Sequence, residues 1–463
     1  MDTTSYILGL NKGEKITEAV TEWLDENVDP VGSAVIVDES LTIEGAAADA
    51  KKTGDEISSL KSDLTTAQHD ISGLKGALGF FSIDGTNPEI LDHIHQIVQA
   101  GEAQVEFGIG EQISLAYKNG TTDYILPWDI VAFGNFELEG GTVKPGMVIQ
   151  SHYAMQAVQF SASQAIMKCA SALAPGTYHF TIGTSWGTHC VKDKVYQFTT
   201  TVEVPADGQI VIGSNTSFYT WGAPDVNPTN WRVYTFSDAS STTPLETLTL
   251  TEGSGGTDIG TLSSSTKFGA SGLTNLQMAA YGYNRWSHSA NRQFYNSAAA
   301  AGAWWTPQHD CDRPPQQLAS VQGFMKGFDA AFLDIIAPVK VTTALNTVSD
   351  SDIGASENTY DTFFLPSLEQ EYIVPQASGV EGDYFPYWKE RLGLSSPQPT
   401  GTAGANSRHI RYGFDAKSTA QYCRVRSAYR GSAFNTWIVY PTGYASYYSA
   451  ARASRGCPAC VII

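Results

Sequence analysis

Seven apolar residues, Ile57, Leu60, Leu64, Ala67, Ile71, Leu74 and Leu78, follow one another at alternating steps of three and four. That spacing holds one apolar stripe along an α-helix and is the a/d seam of a coiled coil. It predicts a rod of roughly 30 Å at ~1.5 Å per residue. Ser, Lys, Asp and Thr fill the positions between, as a solvated face requires, so the stripe is expected to be covered by copies of itself. A homo-oligomer follows. Ile at a with Leu at d leans towards two strands, Gly73 and Gly76 weaken the end, and the number is expected to be three. Ahead of the seam, Ile16, Val20 and Leu24 line one side of a short amphipathic helix. Residues 1–45 read as an N-terminal attachment segment and residues 46–79 as the stalk.

Beyond residue 80 the period shortens. "NPEILDHIHQIVQAG" opens a helix at Asn87-Pro88, with Pro suited to the first turn. "ISLAYKNGTTDYIL" is a hairpin signal, with Asn119-Gly120 as the expected type I′ turn. Residues 80–125 therefore read as a connector. "TYHFTIG", "VYQFTTTVEV" and "QIVIG" alternate apolar with polar and break at Pro175-Gly176 and Asp207-Gly208. They predict a central antiparallel β-rich domain over 126–262, built as a sandwich or curled sheet. A Gly/Ser-rich linker follows. From 267 to 463 two helices are expected first. One carries Trp286, Ala290 and Phe294 inward, with Ser287 or Ser289 as cap. The other carries Phe324, Phe328, Phe332 and Ile336 at four-residue steps and ends at Pro338. Short strands and long loops come after, so this module reads as α+β. The chain as a whole is expected to be multidomain.

Charge narrows the partners. Net charge is −19, and nucleic-acid binding by counterion release needs clustered Lys and Arg. No nucleic acid and no anionic membrane surface are expected as partners. A basic leader and a run of ~20 apolar residues are both absent, so neither a signal peptide nor membrane insertion is expected. Six cysteines spread over 463 residues do not make a disulfide framework, and free thiols are expected.

Several constellations suggest chemistry, and each has a plainer explanation. His93 and His95 lie two apart and point to different helix faces. His309-Asp310-Cys311-Asp312 sits in a Pro-rich turn, where a hydrogen-bonding role is expected. Trp304 and Trp305 read as core before they read as a sugar platform. Glu369, Glu371 and Asp383 make no convincing glycosidase pair. Cys457 and Cys460 form a lone CxxC in the closing strand, where small buried residues belong. Catalytic residues, metal ligands and cofactors are all expected to be absent.

The C-terminus has the most unusual composition. From Tyr422 to Ile463 there is no Lys, Glu, Gln or Met, although Lys and Glu are ordinary surface residues. Tyr, Ser, Ala and Arg are plentiful instead, and Tyr and Ser are residues that antibody paratopes favour.

The stretches "GFMKGFDAAFLDIIAPVKV", "DTFFLPSLEQEY", "EGDYFPYWKERLG" and "RVRSAYRGSAFNTWIVYPTGYASYYSAARASRGCPACVII" resemble a domain of phage and prophage tail proteins. That domain is related to the C-type-lectin-like fold shared with formylglycine-generating enzymes. The C-terminal block is similar to the variable region of proteins diversified by retroelements, through Tyr422, Arg426-Ser427, Gly431, Trp437, Gly443, Tyr447-Tyr448, Arg455-Gly456 and Pro458-Ala459. Such retroelements randomise adenines in codons that can never become Lys, Glu, Gln, Met or Trp. The single tryptophan of the segment, Trp437, would then be scaffold. The enzyme relatives oxidise with a cysteine pair, but the spacing and flanks of Cys457 and Cys460 do not match that chemistry, and no enzymatic activity is expected.

The resemblance implies a receptor-binding protein of a phage tail, assembled in the host cytoplasm and carried on the virion. Its N-terminus would join other tail proteins, and its variable region, about 422–454, would meet a bacterial surface protein or glycan. A virion structural protein whose lectin-like domain binds another protein is the alternative. Expected ligand-binding residues are the aromatic platforms Tyr422, Tyr429, Phe434, Tyr440, Tyr444, Tyr447 and Tyr448, and the planar donors Arg424 and Arg452. Asn435, Thr436, Ile438, Ser446 and Ser454 complete the set. Alternation along "NTWIVYPTG" places Thr436, Ile438 and Tyr440 on one face, with Trp437 and Val439 turned into the core.

Overall fold

The computed structural model describes residues 82–162, 165–183, 191–219, 228–262, 277–278, 282–310 and 312–463. The heptad seam, with its attachment and stalk segments, lies outside the described residues.

The hairpin is the nucleus of a six-stranded sheet. Strand Gln112–Asn119 buries Ile113, Leu115 and Tyr117 at every second position. It pairs with Thr122–Glu137, and Asn119 lies opposite Thr122. The loop is therefore Gly120-Thr121, with φ +61 at Gly120 and no positive φ at Asn119. That is the type II′ arrangement, with Gly first, one residue later than the type I′ turn expected. Thr122–Glu137 also runs through position 125, where the sequence suggests a domain boundary. Val143–Ser151 continues the sheet, followed by the last strand of the chain, Ala459–Ile462, and by Phe363–Phe364. Val461 lies opposite Val148, so the two ends of the described chain share one sheet. The short strand Ser82–Asp84 adds in parallel at the other edge.

Helix Pro88–Gln99 packs Leu91, Ile94 and Val98 onto this sheet. The Asn87 side chain caps it by accepting from the Glu89 amide at 2.9 Å, as its Asn-Pro start predicts.

The sandwich is an insertion. It leaves the body after Val158–Gln159 and returns before the 3₁₀ turn Trp286–His288. One sheet orders the strands Glu246–Thr249, Trp231–Phe236, Gln209–Ser214, Ala165–Lys168 and Gln277–Met278. The other orders Thr251–Glu252, Val195–Thr200, Gly176–Ile182 and Thr257–Leu262. Phe180 and Phe198 from one sheet meet Ile210, Ile212 and Val233 from the other in a shared core. One pair, Thr257–Leu262 with Gly176–Ile182, is parallel, so the domain is not wholly antiparallel.

The α+β expectation for residues 267–463 is corrected. Between 282 and 463 the helices are Ala290–Tyr295, Ala330–Leu333 and Pro386–Leu392, only six, four and seven residues long. Ten strands occupy the same stretch, so the region is β-rich. The first expected helix survives in part: Ser289 caps it, accepting from the Arg292 amide, and Trp286, Ala290 and Phe294 are buried. The second does not form as one helix. Phe324–Gly327 is a 3₁₀ turn, Phe328 is extended, and only Ala330–Leu333 is α-helical. Gly327 closes that turn where the segment passes against the hairpin, and a Cβ there would collide with the Tyr117 ring. The phenylalanines still converge, with Phe328 stacked on Phe363 at 5.3 Å.

Candidate ligand-binding face

Four strands of the last 42 residues, with Val158–Gln159, build another five-stranded sheet. Its order is Ala445–Ser449, Asn435–Val439, Cys423–Ala428, Ala453–Gly456 and Val158–Gln159. The hairpin Asn435–Val439/Ala445–Ser449 turns at Tyr440-Pro441-Thr442-Gly443. The Gly443 amide donates to the Tyr440 carbonyl at 2.8 Å, and the Tyr440 amide to the Tyr444 carbonyl at 2.8 Å. Pro441 sets φ for the turn, and Gly443 takes φ +83 where a Cβ would strike the Asn406 backbone.

Trp437 and Val439 do face the core, with Leu368 and Ile373. The opposite face, expected to be open, is covered as well. Arg424 is 1% exposed. Its guanidinium donates to Thr436 Oγ1, to the Ser449 and Arg452 carbonyls at 3.0 and 2.9 Å, and to Ser454 Oγ at 3.1 Å. Burial lowers its pKa to about 9, with the Tyr448 and Tyr295 hydroxyls opposing. Arg424, Thr436, Ile438 and Ser454, expected from the sequence to meet a ligand, are thus internal. A charge this deep is tolerable only where hydrogen bonds satisfy it, and here it ties three strand ends together. Arg426 works in the same way from the neighbouring position, donating to the Leu365, Thr342 and Glu381 carbonyls and to Gln370 Oε1.

All six tyrosines of residues 422–454 remain at least partly outside. Tyr422 and Tyr447 are 42% and 49% exposed, and Arg452 is exposed. Tyr440, Tyr444, Ser446 and Tyr448 are half-buried. Tyr440 stacks on Tyr444 at 4.5 Å, and Tyr422 on Tyr448 at 5.8 Å. Tyr422 meets Tyr440 edge-on at 5.0 Å, so the four rings form one cluster. The Arg452 guanidinium lies 5.7 Å from the centre of the Tyr448 ring. Burial, then crowding by Tyr444 and Tyr422, raises the Tyr440 pKa. A second pair, Tyr429 and Tyr447, packs at 4.5 Å, with Trp437 against Tyr429. Phe434 and Asn435 are half-buried in the loop that starts the hairpin.

That loop is pinned from outside the segment. Asn284 Nδ2 donates to the Ser432, Asn435 and Tyr429 carbonyls at 2.6, 2.7 and 3.3 Å, and its amide donates to the Ala433 carbonyl. Asn346 in turn donates to Asn284 Oδ1 and to Asp350, which accepts from the Tyr283 hydroxyl. Gln376 Oε1 accepts from the Arg430 amide and from Trp437 Nε1. Every one of these bonds to the loop ends on backbone or on Trp437, so loop side chains can change without loss of the anchor. Asn284, Asn346 and Gln376 carry no sequence signal that marks them. Their importance comes from partners ~60 to 150 residues away in the chain, which no local pattern reveals.

The other constellations settle into structure. His309 and Asp312 pair with each other at 3.1 Å. The adjacent Arg313, fully buried, donates to Gln209 Oε1 and to the Asp238 and Ser241 carbonyls, and it caps the Phe236 ring at 3.5 Å. This segment docks the sandwich. Trp304 is buried with Nε1 donating to the Val321 carbonyl. Glu371 is buried between His409 and Gln150. Asp129 is buried under the first sheet, where it accepts from His152, Tyr387, Gln112 and Arg411. Burial pushes its carboxyl up, but the His152 hydrogen bond and the Arg411 charge outweigh it and hold the group well below the usual carboxylate range. Among the described residues there is no group of three metal-ligating side chains, and no helix is long and apolar enough to cross a membrane. A cleft of about 580 Å³ lies by Phe133, Val341, Tyr384 and Arg426, and none of the tyrosines of residues 422–454 lines it.

Residues 264–463 match the model of a family described only as a domain of unknown function, DUF6273. No curated protein and no solved structure matches the chain.

Proposed function

We propose that this chain is a receptor-binding protein of a phage tail, and that the Tyr422, Tyr440, Tyr444, Tyr447, Tyr448 and Arg452 face meets a protein or glycan on a bacterial surface. One observation carries the reading. All six tyrosines of residues 422–454 and Arg452 are at least partly exposed, while Arg424, Thr436 and Ser454 of the same segment are buried, with Arg424 bonded to the Ser449 and Arg452 carbonyls. Tyrosine binds at low entropic cost because it has only two rotatable side-chain angles. A face mounted on a backbone anchored by Asn284, Arg424 and Gln376 can exchange contacts without refolding. The activity is binding, with no catalytic step.

The test is deep sequencing of the 3′ end of this gene in a growing population of its source. Variation should concentrate at adenines in the codons for the six face residues. The codons for Trp437 and Asn284 should stay fixed. A 3′ end as uniform as the rest of the gene would remove the diversified reading and leave a fixed partner, such as another virion protein.

A further inference from the structure

The structure brings together two cysteines that lie far apart in the chain. Cys423 opens the central strand of the five-stranded sheet, and its register with Arg455 on the parallel neighbour carries it to Cys457. The two Sγ atoms are 3.1 Å apart, in an apolar core with Val425, Val439 and Ala445. Cys460, the partner that the CxxC spacing suggests, belongs to the other sheet, opposite Phe363 and Ile149.

We propose that Cys423 and Cys457 are a covalent site: a disulfide that closes the ends of the segment carrying the tyrosine face. The reaction is thiol–disulfide exchange with a glutathione-type disulfide. One cysteine thiolate attacks the reagent and releases one glutathione thiol. The second cysteine then displaces the other glutathione, leaving one protein disulfide and two reduced thiols. The exchange belongs to the folding chain. In the finished core both thiols are buried, and the hydrogen bond with Cys457, with burial, pushes the Cys423 thiol up, so the attacking thiolate is scarce. The same burial shields the bond from reductants once it has formed.

The bond would close a loop that holds the variable stretch from Arg424 to Ser454, since 34 positions separate the two cysteines. A crosslink at the base constrains the unfolded chain whatever side chains the face carries. The site stands on geometry alone; only this use of it rests on the receptor-binding reading.

The experiment refolds the full chain from denaturant in a mixed oxidised and reduced glutathione buffer. Peptide mapping without reduction follows. The expected product is a Cys423–Cys457 crosslinked peptide, lighter by two hydrogens. Its thermal midpoint should lie several degrees above that of the reduced protein. The double variant Cys423→Ala/Cys457→Ala should show no redox dependence of the midpoint. Recovery of both cysteines as alkylated thiols, or their crosslinking to Cys169 or Cys460, would overturn the proposal. Mapping of the unaltered chain decides it even if the double variant fails to fold. Loss of the crosslink would leave the receptor-binding reading intact, and a uniform 3′ end would leave the crosslink intact.

Discussion

The inserted sandwich and the C-terminal five-stranded sheet are both β-structure, yet they are held together by opposite means. In the sandwich, alternating positions deliver Phe180, Phe198, Ile210 and Ile212 to an apolar core. In the C-terminal sheet, all six residues of the central strand Cys423–Ala428 are buried, including two arginines and a serine. The first uses non-directional burial, worth roughly 25 cal/mol per Å². The second uses directed hydrogen bonds from Arg424, Arg426 and Asn284 onto carbonyls. Directed bonds fix a backbone in place and demand nothing of the outward side chains. That difference suits a support to the one and a changeable surface to the other.

The contrast breaks most sharply at Arg424. Arg424→Ala leaves the Ser449 and Arg452 carbonyls and two hydroxyls dry, so about 3–5 kcal/mol of stability should be lost in urea unfolding. Arg424→Lys should recover little, because an ammonium cannot span the same acceptors as a guanidinium. Ile212→Val in the sandwich should cost only ~0.5–1.5 kcal/mol. An Arg424→Ala loss no larger than that would refute the clamp.

Asn284→Asp comes next. It sets a carboxylate against three carbonyls and should cost about 2 kcal/mol or more, read as early loss of hydrogen-exchange protection in residues 429–435.

Acid should act on the first sheet. The Asp129 pKa is depressed in the fold by its donors. Its contribution is therefore complete above the unfolded carboxylate value, about 3.9, and is lost as pH falls from there towards the folded value. Asp129→Asn should flatten the acid limb of a stability–pH profile and leave the neutral limb sloped as before.

The smallest effect on stability belongs to the face itself. Tyr447→Ser, at a residue 49% exposed, should shift stability by no more than ~0.5 kcal/mol while weakening attachment to host cells. A large stability loss would show that Tyr447 is packing instead of platform.

Much of the local structure was legible in the residues. The Asn87 cap, the Ser289 cap, the hairpin after Gln112 and the inward turn of Trp437 and Val439 all follow from short-range geometry. The phenylalanine ladder misled. Phe324–Gly327 is a 3₁₀ turn and Phe328 is extended, yet the rings still converge on Phe363.

By itself the sequence determined which segments alternate, where they cap and turn, and that the end of the chain is rich in tyrosine and free of Lys, Glu, Gln and Met. Only the tertiary structure decided that Arg424, Thr436, Ile438 and Ser454 lie inside and that Tyr422, Tyr447 and Arg452 lie outside. It also decided that Ala459–Ile462 closes the first sheet and that Cys423 meets Cys457. The physical reason is that alternation sets only the side of the strand to which a residue points. Whether that side is covered depends on residues such as Phe160 and Asn284, which reach it from more than a hundred positions away.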